Sequence, residues 1–215
     1  MTHSLHREGT IDSLEKDYAL FIYPARAFNY EGSEPKLRRL AELLYTQSPA
    51  NMIVSSLRRN LYSGVPREEI LASIKDGAKI YSVFNSREQL KKALIRIKEM
   101  DEGISVMVSG LIDRVREIAS EVGLNPHTIN LSLGIQGRTD RIPPSDIRQF
   151  TTMCGHGMVS PKLVRDVIRR IKAGKLDFWE GSIILAGPCS CGIYNPARSQ
   201  ELLKDLVPLY TVNRP

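Results

Sequence analysis

Apolar residues along this chain fall either in short unbroken runs or in stripes of helical spacing, with polar, Pro- and Gly-marked breaks between them. Residues 18–23, YALFIY, are apolar and aromatic enough for a buried strand, and Pro24 with the following ARAFNYEGSE reads as a loop. Leu37, Leu40, Leu43 and Leu44 then recur at helical spacing behind Ser33 and Pro35, predicting a capped helix to about residue 45. Ser48 and Pro49 repeat that cap signal for a second helix, and PREEILASIKDG from Pro66 gives a third.

The middle of the chain alternates more regularly. KIYSVF (79–84), ISVMVSG (104–110) and TINLSLGI (128–135) predict strands, with helices over 87–98 and 111–123 between them. Asn85 or Ser86 can cap the first of these helices and Gly123 can end the second. Short alternation of strand and helix favours an α/β protein with a βαβαβ-type central sheet of parallel strands covered by helices. A ferredoxin-like α+β arrangement uses the same elements with one strand pair reversed.

After Gly137 the text becomes polar, with adjacent prolines at 143 and 144 and a short helix begun at Ser145. A basic helix from Pro161 to about residue 172, a strand SIILAG (182–187) and a last helix from Pro196 to about residue 206 follow. No long polar linker divides the chain, so residues 1–215 are expected to form a single compact domain. Its subregions are a strand plus helical cluster (1–77), the βαβαβ unit (78–145) and a cysteine-containing lobe (146–215).

Composition sharpens this picture. With 42% hydrophobic residues the chain can bury a core without staples, so a metal would have a local, chemical task. The three cysteines are an odd count, clustered late, which suits a ligand set better than a disulfide framework. The N-terminal stretch MTHSLHREGTIDSLEKD has no apolar core, and no run approaches a membrane span, so a cytoplasmic protein with a mobile terminus is expected. A formal charge of +6 suits anionic partners, of which small anionic substrates fit better than nucleic acid. Basic–aromatic interleaving on a strand is missing.

The segment that carries candidate chemistry is a short internal echo. CGHGMVSPKLVRDVI starts at Cys154 and CGIYNPARSQELL at Cys191; each runs from Cys-Gly to an N-cap residue and a proline, Ser160-Pro161 and Asn195-Pro196. Each cysteine is therefore placed in a tight loop ahead of a helix N-terminus, where N–H groups and the helix dipole favour a thiolate. Gly155, Gly157, Gly187 and Gly192 let the backbone turn closely around a bound group; Gly155, Gly157 and Gly192 are the expected cofactor contacts.

Three inventories fit. Cys154, His156, Cys189 and Cys191 form a Cys₃His set for zinc, although the one-residue gaps are shorter than those of structural zinc ribbons. The three cysteines alone could hold a [4Fe–4S] cluster with one iron open, since electron-carrying clusters use four cysteines. Alternatively Cys154 is a metal-free nucleophile with His156 or His127 as its base, His127 being the weaker because it precedes the strand TINLSLGI. The expected function is a metal- or iron–sulfur-dependent metabolic enzyme of lyase, hydratase or sulfur-transfer type, with Cys154 and His156 in the catalytic site. The competing class is a structural-zinc binding module for nucleic acid or protein.

Arg138 and Arg141, in the loop after the presumed third strand of the unit, and Arg26, after YALFIY, are the expected substrate-binding groups, because ligands in open α/β sheets gather beyond the carboxyl ends of strands. The charges of Lys162, Arg165, Arg169, Arg170 and Lys172 read as a solvated helix face. Neither a dinucleotide or Walker loop nor an H-E-x-x-H or G-x-S-x-G motif occurs.

Overall fold

The computed structural model describes residues 2–210. Among these, one five-stranded sheet forms the centre, in the order β3-β2-β4-β1-β5. The strands are β1 (Tyr18–Tyr23), β2 (Asn51–Val54), β3 (Arg59–Asn60), β4 (Ile80–Phe84) and β5 (Ser105–Ser109). Every pairing is antiparallel: β1 lies between β4 and β5, Leu20 opposing Ser82 on one side and Val108 on the other, and β2 pairs with both β3 and β4.

The fold is thus mixed α/β with an open antiparallel sheet, and the parallel βαβαβ unit read from the alternation is not formed. β4 and β5 run in the same direction but flank β1, so helix α4 (Arg87–Met100) carries the chain across an intervening strand. Strand–helix alternation specifies the crossover and says nothing about which strand fills the gap it spans.

β1 explains its own unbroken apolar run. Tyr18, Leu20 and Ile22 face a core shared with α2 (Glu34–Thr46), α4 and α5 (Ile112–Glu121). Ala19 and Phe21 face a second core made with α6 (Ser145–Thr151), α7 (Pro161–Lys172), α8 (Phe178–Ala186) and α9 (Pro196–Leu209). A strand buried on both faces cannot alternate. The cysteines belong to the second core, so the sheet is the floor on which their loops sit.

Three further expectations are corrected. Residues 48–60 hold the β2–β3 hairpin, with Ser48 and Arg58 at positive φ, where a second helix was predicted. The segment NMIV, with β-branched Ile53 and Val54, finds a strand partner in β4, and that pairing outweighs the local cap signal. SIILAG is the end of helix α8: Asp177 and Glu180 form a capping box, and Gly181 lets α8 approach Val167 and Ile171 of α7. TINLSLGI forms no strand, and residues 125–141 are exposed throughout.

The remaining short helices are α1 (Ile11–Leu14) and α3 (Arg67–Ala72). The N-terminal stretch is docked on the protein from Ser4 onward, where a mobile terminus was expected; Arg7 and Glu8 bond to the segment before Cys154.

Candidate functional site: a buried three-thiol cluster

Cys154 lies in the loop between α6 and α7, and Cys189 and Cys191 lie in the loop between α8 and α9. Both following helices start as their sequences predict. Ser160 Oγ accepts from Leu163 N–H at 3.2 Å, and Asn195 Oδ1 accepts from Arg198 N–H at 3.1 Å. Gly157 and Gly192 take φ values of +70° and +63°, so each loop turns back through a left-handed residue. At Gly192 the constraint is doubled, because a Cβ there would stand 2.7 Å from Ile53 Cβ on β2. Gly155 is half-buried and takes no such conformation.

The echo in sequence becomes an echo in hydrogen bonding. The backbone N–H groups of His156 and Met158 donate to the Cys154 sulfur, that of Ile193 to Cys191 and that of Tyr194 to Cys189. In both Cys-Gly-x loops the donor is the residue two beyond the cysteine. The thiols are free and buried, 1%, 2% and 5% exposed for Cys154, Cys189 and Cys191. Cys154 hydrogen-bonds to Cys189, and the Cys189 and Cys191 sulfurs are 3.7 Å apart. That separation is far beyond a disulfide bond.

Acidity is graded along this row. The bond to Cys189, reinforced by burial, pushes the Cys154 thiol well above its ordinary value. Cys189 gains from the Cys154 bond but loses more to its own bond to Cys191 and to burial, and is pushed up to about 11. The bond from Cys189 lowers Cys191 against the cost of burial, and the Arg7 guanidinium lowers it further. Of the three thiols, Cys191 is the one held below its ordinary value.

Arg7 ties the two loops together. Its guanidinium donates to the carbonyls of Met153, at 3.3 Å, and Ile193, and pairs with Asp17. Asp17 also accepts from Arg198 at 2.7 Å and from Asn195 at 3.2 Å, and the side chains of Asp17 and Arg198 are 0% and 1% exposed. Two guanidinium groups and one carboxylate leave a positive charge beside the sulfurs. Arg7 Nε is buried without a partner. From the sheet, Asn51 Nδ2 donates to the Tyr194 carbonyl at 3.1 Å. Tyr81, edge-on to Phe21 at 5.3 Å, has its phenol raised by burial and by its proximity to Cys191.

The other candidates are dispersed. His156 is exposed at the loop surface above Cys154, and among the described residues no three His, Cys, Asp or Glu side chains stand as a cage for a metal ion. Arg138 is exposed and directs its guanidinium at Asp140, at 2.8 and 2.9 Å. Arg141 and Arg26 are exposed, in a 3-10 turn and in the turn after β1. On α7 the apolar Val164, Val167, Ile168 and Ile171 face the core, and Lys162, Arg169 and Lys172 are exposed. Arg7, Asn51 and Tyr81 are absent from the sequence reading; the charge of Arg7 inside a polar terminal stretch was its only signal.

The chain matches no protein-family model, no curated protein and no solved structure. What the molecule can do therefore rests on its own chemistry. Among the described residues no helix is long and apolar enough to cross a membrane.

Proposed function

We propose that Cys154, Cys189 and Cys191 carry a metal centre with an open ligand position, a [4Fe–4S] cluster in the leading form, in an enzyme that acts on a small anionic substrate. The observation that carries this reading is the set of backbone N–H donors aimed at three buried, contacting sulfurs. Neutral thiols are weak acceptors, and so many amides turned on them suit sulfurs carrying negative charge. Three buried thiolates with only the net charge of the Arg7–Asp17–Arg198 group against them would be strongly destabilised, and a cation shared by all three removes that cost. That charge balance supports a metal at the three sulfurs, which would have to close in on the ion as it binds.

When bound, such a centre supplies Lewis-acid activation of a carbonyl or hydroxyl oxygen. The protein's own part is defined by its side chains. Arg7 holds the two loops at a fixed separation and supports negative charge on Cys191; Tyr81, whose phenol keeps its proton, stands on the sheet side. His156, exposed two residues after Cys154, is the side chain proposed to meet substrate or to complete the ligand set. Cys154 at 1% exposure is poorly placed to attack a substrate directly, which weighs against the metal-free nucleophile.

A second reading, a single zinc ion, draws on one distance. A tetrahedral ion with Zn–S bonds of about 2.3 Å separates its sulfurs by about 3.8 Å, and Cys189 and Cys191 stand 3.7 Å apart. A cluster places its thiolates on different irons and needs them wider. For the scaffold, we infer the ferredoxin-like α+β arrangement, because β1-α2-β2 and β4-α4-β5 interleave in the order β2-β4-β1-β5.

Protein purified without oxygen decides between the forms. Iron with sulfide and a brown chromophore, both lost in Cys189→Ala with the fold retained by circular dichroism, is the expected result; one tightly held zinc replaces the cluster with the second reading. Protein that contains no metal and takes up neither zinc nor a reconstituted cluster would overturn both.

A further inference from the structure

We propose that residues 128–135 are a pairing strand that adds, in trans, to the open edge of β5 in a second copy of this chain. TINLSLGI has the period-two pattern of a half-buried strand, yet Ile129, Leu131, Leu133 and Ile135 are 49%, 66%, 84% and 44% exposed. Among the described residues, 125–136 make no hydrogen bond between backbone groups. Their polar contacts run through side chains instead: Ser132 Oγ meets His6 Nδ1 and the Gly134 N–H, each at 3.1 Å, and Gln136 Nε2 donates to the Leu133 carbonyl at 3.4 Å. A strand-forming sequence with four apolar side chains in water and an unpaired backbone is incomplete as it stands.

The missing half is on the same chain. β5 ends the sheet and offers an unpaired edge, behind which Val106, Met107 and Val108 are only partly buried. Edge strands are ordinarily protected by lysine, proline or a bulge. β5, Ser-Val-Met-Val-Ser, has no lysine, proline or other charge, and residues 126–137 carry no acidic or basic side chain apart from His127. The segment does not pair with its own β5 although α5 joins the two. Each copy thus presents one free strand and one free edge, and reciprocal exchange closes with two-fold symmetry.

The contact is that of a weak, reversible dimer. The five residues of β5 are about 17 Å long and, with side chains about 10 Å deep, pairing along them covers roughly 170 Å² on each of the two surfaces in contact. Two such exchanges bury about 700 Å², below the roughly 1,000 Å² of a long-lived dimer, so association is expected to depend on protein concentration. This inference is independent of the metal centre.

Light scattering on the full chain tests it first, with a mass twice the chain's 24.2 kDa expected. Leu131→Lys with Leu133→Lys should raise the dimer dissociation constant about a hundred-fold or more, leaving a folded monomer, since both side chains are exposed within one copy. Hydrogen exchange supplies the second measurement: amides of residues 105–109 and 128–135 should gain protection together as protein concentration rises. A monomer at all concentrations overturns the proposal, as does protection independent of concentration, which would mean pairing in cis. A dimer unaffected by the double substitution places the interface elsewhere and overturns it too.

Discussion

Gly192 is held by two constraints and Gly157 by one, which makes the pair a measure of how the cysteine loops are built. Both have positive φ, but only Gly192 has Ile53 against the place a Cβ would take; nothing lies within 4 Å of that place at Gly157. Gly192→Ala should therefore cost about 2–4 kcal/mol, strain and steric displacement together, and Gly157→Ala about 1–2 kcal/mol from strain alone. Urea denaturation compares them, and equal losses would mean that contact with β2 does not set the loop. The cysteine loops were legible because their chemistry is local: Cys-Gly, a cap residue and a proline sit side by side in the text. Arg7 was not, because its partners Met153 and Ile193 lie 146 and 186 residues away, and no local pattern encodes which carbonyls an arginine will meet.

At the scale of elements, helix α2 was legible from its leucines while its cap was not. Ser33 makes no side-chain cap bond; Asp76, from the loop after α3, accepts from Glu34 N–H at 2.7 Å and from Gly32 N–H at 2.9 Å. Those N–H groups hold the Asp76 carboxyl below its usual value of 3.8. A depressed carboxylate stabilises the fold above its unfolded pKa and loses that contribution as pH falls through the folded value. The melting temperature of Asp76→Ala should thus fall short of the parent at neutral pH, and the gap should close progressively below about pH 4; a gap unchanged at low pH would assign the effect to packing. A buried pair behaves differently. Arg198→Leu strips Asp17 of one of its two guanidinium partners, with Arg7 left, and should cost about 3 kcal/mol or more in chemical denaturation. SIILAG and TINLSLGI mark the limit of periodicity. A short apolar run serves a buried helix as well as a strand, and alternation describes side chains while a strand also requires a backbone partner.

Across the whole molecule, β1 is common property: Leu20 and Ile22 belong to one core, Ala19 and Phe21 to the other, so neither helical layer can separate while the central strand stays whole. The N-terminal segment adds a second tie, running from the Asp17–Arg198 pair to the cysteine loops through Arg7. A ligand at the three thiols should therefore stabilise the entire chain and not only the lobe that holds it. At a free concentration about a thousand times the dissociation constant, metal binding to the folded state contributes about 4 kcal/mol. For a domain of this size that raises the midpoint of thermal unfolding by about 8–16 °C. Calorimetry of the metal-loaded protein, with and without chelator, should show one transition that moves as a unit. Two transitions, with the chelator shifting only one, would mean that α6–α9 unfold independently of the sheet and that the shared strand does not couple the layers.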